Sequence, residues 1–218
     1  MKRKSWVVRG LPRTSSLWLV AFAGCQQYPR ITWDPPKPLG TGSGTRLVVG
    51  DLAELKLRKE AWDGGRKKGQ IGRHTWTVFA LPGFFIYPHK ETPLKPSFDR
   101  AARDALHACG YELVDSSEAP VDTPVLRGEV NACWWWSYTW LWPLVVQGGQ
   151  NKVTLVLESR DGKVLWKREF SRAEPGLPIG GAYGFGLMMK WSMTKLVQDM
   201  VKACSSEDFQ KAVQTPGG

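Results

Sequence analysis

The chain has 218 residues, with 30 Lys and Arg against 20 Asp and Glu, a formal net charge of +10, and 42% hydrophobic residues. Five of the basic residues, Lys2, Arg3, Lys4, Arg9 and Arg13, lie in the first 24 positions, which hold no acid; without them 25 basic residues face 20 acidic ones and the charge falls to +5. That is a mildly cationic surface and not a nucleic-acid footprint, on a chain of one-domain size that can bury a real core.

The first informative stretch is Leu17-Trp18-Leu19-Val20-Ala21-Phe22-Ala23-Gly24-Cys25. A basic segment, a short apolar run and two small residues follow one another in the order of a secretory signal. The apolar run is far shorter than the ~20 residues a helix needs to cross the hydrocarbon core, so a permanent transmembrane anchor is the poorer reading. Phe22-Ala23-Gly24-Cys25 resembles the lipobox of bacterial lipoproteins, with Phe22 where Leu is usual. In that motif an apolar residue, two small residues and a cysteine direct diacylglyceryl transfer to the thiol and cleavage just before it. The resemblance implies a signal peptide over 1–24 and a lipid on Cys25. The alternative is an ordinary signal peptide, or an apolar N-terminal segment, with an incidental cysteine. Two or three acyl chains would hold stably, since each buried methylene contributes ~0.8 kcal/mol and a single chain is marginal. Gln26 stands where lipoproteins retained at the inner membrane resemble one another in having Asp, so the expected location is the outer membrane, facing the periplasm.

Residues 25–44 carry Pro29, Pro35, Pro36, Pro38, Gly40, Gly42 and Gly44 and read as a tether between lipid and domain. A single domain is expected over 45–214. Thr45–Leu52 predicts a strand, Ala53–Gly69 a long loop or frayed helix, and Ile71–Ala80 with Phe84–Tyr87 a hairpin turning at Leu81-Pro82-Gly83. Phe98–Cys109 predicts a helix capped by Ser97 and closed by Gly110, with Phe98, Ala101, Ala102, Ala105, Leu106 and Cys109 on one face. Tyr111–Asp115 is the next strand. From Val125 the alternation places Leu126, Gly128, Val130, Ala132, Trp134 and Trp136 on one face and Arg127, Glu129, Asn131, Cys133 and Trp135 on the other. Asn151–Arg160 and Lys163–Ser171 are two strands joined by Asp161-Gly162, a strong hairpin signal. Leu187–Ala203 is a helix, and Ser205 with Asp208 forms a capping box for a last short one. The order implies an α/β (α+β) fold: a two-layer sandwich, with helices packed on one face of a mainly antiparallel sheet.

Ile71-Gly72, the helix with Ala-x-x-x-Ala-Leu, Cys109-Gly110-Tyr111, Val125-Leu126-Arg127-Gly128-Glu129-Val130, Asp161-Gly162-Lys163-Val164-Leu165-Trp166 and Ser206-Glu207-Asp208-Phe209 follow one another in an order similar to that of small envelope lipoproteins of the YajG-like and transport-auxiliary type. The resemblance spans most of residues 45–213 and implies fold and location more than activity. It offers no catalytic group to carry over, and the Trp-rich run departs from it.

That run, Trp134 to Trp142, is the main candidate for recognition, because Trp and Tyr combine large apolar area with a polar handle. On the alternation, Trp135, Tyr138 and Trp142 are expected to be partly exposed and to bind a partner, while Trp134, Trp136 and Trp140 stand open between core and surface. The expected partners are the membrane, through the lipid, and an envelope protein; nucleic acid is not expected, and the oligomeric state is not assigned. The competing reading is a glycan- or peptidoglycan-binding lipoprotein whose exposed Trp faces stack on sugar rings.

Chemistry of other kinds lacks its residues. Gly180–Gly186 has no Lys-Ser/Thr of a phosphate loop, so no cofactor is expected. Ser137 or Ser171 with a histidine makes a nucleophile–base pair only by free choice, because no Gly-x-Ser-x-Gly elbow exists, and an enzyme is not expected. With Cys25 assigned to lipid, Cys109, Cys133 and Cys204 remain; they match no zinc spacing and read as buried thiols, a Cys109–Cys204 bridge being the alternative. No metal site is expected.

Overall fold

The computed structural model describes residues 28–42, 44–54, 70–76, 84–141, 144–178 and 182–214. In chain order its elements are β1 (Arg46–Glu54), β2 (Gly72–Trp76), β3 (Phe84–Ile86), α1 (Leu94–Ala108), β4 (Glu112–Val114), β5 (Val125–Leu141), β6 (Leu144–Glu158), β7 (Val164–Pro178), α2 (Ala182–Cys204) and α3 (Glu207–Gln214). The seven strands form one sheet. Its spine is β5, long enough to hold two neighbours in succession along one edge: β1 against Val125–Val130 and β2 against Trp135–Thr139, both parallel to it. The other edge pairs antiparallel with β6 along nearly its whole length, and β6 with β7. Beyond β1 lies β4, also parallel, and beyond β2 lies β3, antiparallel.

The mixed α/β class expected from sequence holds, but the mainly antiparallel two-layer sandwich is corrected to a mixed, curled sheet. The physical reason is the position of α1. A helix between β1 and β4 carries the chain back to the starting end of the sheet, so the returning strand runs parallel.

A second correction concerns β5 itself. The ladder to β6 slips between Val130↔Val153 and Ala132↔Lys152, inserting one residue into β5. Such a bulge reverses the phase of every side chain after it. Before it Leu126, Gly128 and Val130 are buried; after it Cys133, Trp135 and Ser137 are. Trp134, Trp136 and Tyr138 therefore lie on the opposite, open face.

The inner face carries the helices. Val153, Leu155, Leu157 and Phe170 meet Phe98, Ala102, Leu106, Met189, Met193, Leu196, Val197, Met200 and Phe209 in one core. The helix α1 begins at Leu94, with Pro93 and not Ser97 at its N-cap. Pro96 does not break it, because first-turn N–H groups have no helical acceptor to lose. Gly110, at φ +85°, closes it as expected. The cap of α3 is Ser206, whose Oγ accepts the Phe209 N–H at 3.4 Å, and not Ser205.

The tether expected over 25–44 is, in its described part, a strap belonging to the domain. Ile31 is buried in the core, and the Trp33 indole N–H donates to Asp104 Oδ2 at 3.0 Å. The N–H groups of Leu39, Gly42 and Gly44 donate to the carbonyls of Ala108, Cys109 and Gly110. Proline and glycine keep this segment from forming a helix, and its freed donors instead satisfy carbonyls at the end of α1 that have no helical partner.

Candidate functional site

The aromatic run divides between the two faces of β5. Trp135 is 0% exposed, so its expected role in partner binding is corrected: the bulge turns it inward. Its indole N–H donates to Asn151 Oδ1 at 3.3 Å, and Asn151 Nδ2 donates to Ser192 Oγ at 3.1 Å. This buried chain of polar groups ties β5, β6 and α2 together, and its members are costly to leave unpaired. Tyr138 lies half-buried on the open face beside Trp136, with ring centroids 5.4 Å apart and planes at 56°. Trp134 is half-buried on that face as well. Trp142 and Cys25 lie outside the described residues.

Two glycines make room for the indoles. A Cβ on Gly149 would fall 2.4 Å from ring atoms of Trp135, and one on Gly148 would fall 2.5 Å from the ring of Trp136. Adjacent residues of β6 point to opposite faces, so Gly148-Gly149 receives one indole on each side. That pair is a signal in the sequence, two residues without side chains opposite two of the largest, and it identifies which tryptophans are seated on the sheet.

Ser137, 1% exposed, shares a hydrogen bond with His74 across the β5–β2 pair. Burial holds the His74 pKa below its ordinary value and so favours the neutral imidazole. The residues of a nucleophile–base pair are thus adjacent, which sequence spacing gave no reason to expect, but they face the core and couple two strands. The thiols of Cys109, Cys133 and Cys204 are buried and unbridged. Cys109 Sγ donates to the Val201 carbonyl at 3.4 Å, and burial pushes its pKa up to about 11.

At the opposite end of β5 an open cleft of about 700 Å³ collects Arg103, Arg127, Arg160, Asp115 and Glu158 from four separate parts of the chain. Its arginines are engaged: Arg103 with the Val49 carbonyl at 3.2 Å, Arg160 with the Ser116 carbonyl at 3.1 Å, and Arg127 with Glu158 at 3.3 Å. The result is an open polar surface on which three arginines face two carboxylates. Among the described residues no group of three or more His, Cys, Asp or Glu is placed to hold a metal, and no helix is long and apolar enough to cross a membrane.

No family model matches the chain, and no curated protein matches it. Solved structures do. The fold is similar to that of a Xanthomonas campestris protein of the DUF330 family, at a TM-score of 0.54 and 14% identity, over 86% of this chain and 98% of that one. Weaker likenesses are to a putative neuraminyllactose-binding hemagglutinin homolog from Helicobacter pylori, at a TM-score of 0.44 and 10% identity, over 85% of this chain and 95% of that one, and to PelC from Paraburkholderia phytofirmans, at 0.33 and 15%, over 75% and 93%. The first of these speaks for the fold alone, and the other two carry no argument.

Proposed function

We propose that the protein is a lipid-anchored envelope lipoprotein of the YajG-like or transport-auxiliary type, held at the outer membrane through Cys25. It acts there as a non-catalytic accessory or adaptor in an envelope or transport assembly. The observation that carries the reading is the run from the basic N-terminus through Leu17–Phe22 to Ala23-Gly24-Cys25. The open face of the sheet supports it: Trp134, Trp136 and Tyr138 place aromatic area where a partner can reach it, on the face away from the helices. The same rings suit the alternative ligand, a glycan strand stacking on Trp136 and Tyr138.

The test is to express the full chain and Cys25→Ser in a Gram-negative host, and to determine acylation by mass spectrometry of the N-terminal peptide. Processing before Cys25 with a diacylglyceryl group on its thiol is expected, and an unmodified Cys25 contradicts the anchor. Crosslinking in intact cells, set beside binding to purified peptidoglycan, then separates the protein partner from the glycan.

A further inference from the structure

We infer that the N-terminal half of α2 is a bilayer-docking face, with Leu187 and Trp191 seated in the interface of the membrane that holds the Cys25 lipid; this rests on the lipid-anchored reading. Leu187 is 57% exposed and Trp191 53%. They stand four residues apart on one helix, so their side chains are neighbours. Isolated apolar residues on a surface need no explanation. A Leu–Trp pair flanked by Lys190 and Lys195 has the composition of a segment lying at a membrane–water boundary. Lys195 Nζ lies 5.3 Å from the centre of the Trp191 ring. Both ammoniums are held by carboxylates, Lys190 by Asp34 at 2.5 Å and Lys195 by Glu174 at 3.2 Å. The charges beside the Leu–Trp pair therefore cancel, two ammoniums against two carboxylates, so the attraction of Leu187 and Trp191 to a bilayer does not depend on anionic lipid.

The path of the strap identifies the occupant. Asp34 contacts α2 on both sides of Trp191, through its ion pair with Lys190 and through its N–H, which donates to Thr194 Oγ1 at 2.9 Å. The C-terminal ends of α1 and α2 lie together, since Cys109 bonds the Val201 carbonyl and the Tyr111 hydroxyl donates to the Cys204 carbonyl at 3.0 Å. The strap enters the domain just before the start of α1, where the Pro29 carbonyl accepts the His89 N–H and the Ile31 N–H donates to Thr92 Oγ1. Half-exposed Tyr28 marks that entry point. Cys25 is three residues further back, at most ~10 Å of extended chain. So short a leash leaves the lipid at the end of the helical layer to which Leu187 and Trp191 belong.

The test uses the lipidated full chain in phosphatidylcholine vesicles that carry a nitroxide on the acyl chain. An environment-sensitive fluorophore is attached at Leu187→Cys or, as the reference, at Val121→Cys. Val121 is 73% exposed and precedes β5, at the far end of the sheet. Cys109, Cys133 and Cys204 are buried and the Cys25 thiol carries the lipid in the lipidated chain, so labelling is selective. Expected is several-fold stronger quenching at 187 than at 121, little changed by salt. Flotation of the chain with the vesicles but equal, weak quenching at both positions overturns the docking face and leaves the anchor standing. So does a probe at 187 that is shielded from water yet not quenched, since a protein then covers the face. A chain that fails to float, behaving like Cys25→Ser, removes the anchor and the inference with it.

Discussion

Trp135 and Trp136 are adjacent in sequence and alike in chemistry, and each lies across a glycine of β6, yet the surroundings of the two indoles differ in every other respect. On the inner side a Cβ at Gly149 would meet the Trp135 ring at 2.4 Å and the Trp134 carbonyl at 2.7 Å, and the ring is fixed by Asn151 under α2. On the outer side a Cβ at Gly148 would meet the half-buried Trp136 ring at 2.5 Å and the Glu174 carbonyl at 3.0 Å, on the face away from the helices. Residue type does not separate the aromatic buried under the helices from the one on the open face. Strand phase does, and one inserted residue at Val130–Ala132 sets the phase.

The largest effects follow from breaking the inner site. Trp135→Ala should cost about 3–5 kcal/mol, the range for removing a buried large aromatic, and urea unfolding measures it. Gly149→Ala should destabilise by about 1–3 kcal/mol, because the ring it strikes has nowhere to go. Asn151→Leu strands the Trp135 indole N–H and the Ser192 hydroxyl, with a loss of about 2 kcal/mol; a neutral result would show that the polar chain does not hold β5 and β6 to α2.

The outer site sharpens the contrast with smaller numbers. Gly148→Ala and Trp136→Ala should each cost about 1–2 kcal/mol, less than the corresponding changes at Gly149 and Trp135. Trp136→Ala with Tyr138→Ala should lower the urea midpoint less than Trp135→Ala alone, while reducing crosslinking to the proposed envelope partner. If Gly148→Ala proves as costly as Gly149→Ala, the two faces are equally packed and the outer surface is not free for recognition.

The pH dependence tests the inner face through His74. Burial lowers its pKa below 6.5, so the unfolded chain binds a proton where the folded chain does not. The stability this contributes is complete above about pH 6.5 and is lost as the pH falls toward the lowered folded value. His74→Gln should therefore show a shallower loss of stability below pH 6.5 than the parent, as read by urea midpoints at successive pH values. Smallest in energy is thiol reactivity: Cys109, Cys133 and Cys204 should resist aqueous thiol reagents until the chain unfolds, since burial keeps the Cys109 thiol protonated to about pH 11.

Sequence periodicity locates most elements. The amphipathic spacing in α1, the Asp161-Gly162 turn and the alternation of Leu126 to Val130 are local signals that depend on neighbouring residues alone. What escapes it is long-range. The parallel pairing of β1 and β2 with β5 is set by where α1 deposits the chain, and no spacing in β5 records it. The bulge leaves no mark in Val130-Asn131-Ala132, so an alternation carried past it assigns Trp135 to the surface. The full length of β6 is hidden because Gly148-Gly149 reads as a break until the two indoles are placed against it. The strap is hidden by its prolines and glycines, although Ile31 and Trp33 carry the apolar area that draws it onto the helices.

Hydrogen exchange at the tryptophan indoles, followed by ¹⁵N NMR with Trp135 and Trp136 assigned by substitution, tests the division of the aromatic run most directly. The Trp135 indole N–H, bonded to buried Asn151, should exchange only when the domain unfolds, at least about a thousand-fold more slowly than that of Trp136. A protected Trp136 beside a freely exchanging Trp135 would restore the unbroken alternation and contradict the account.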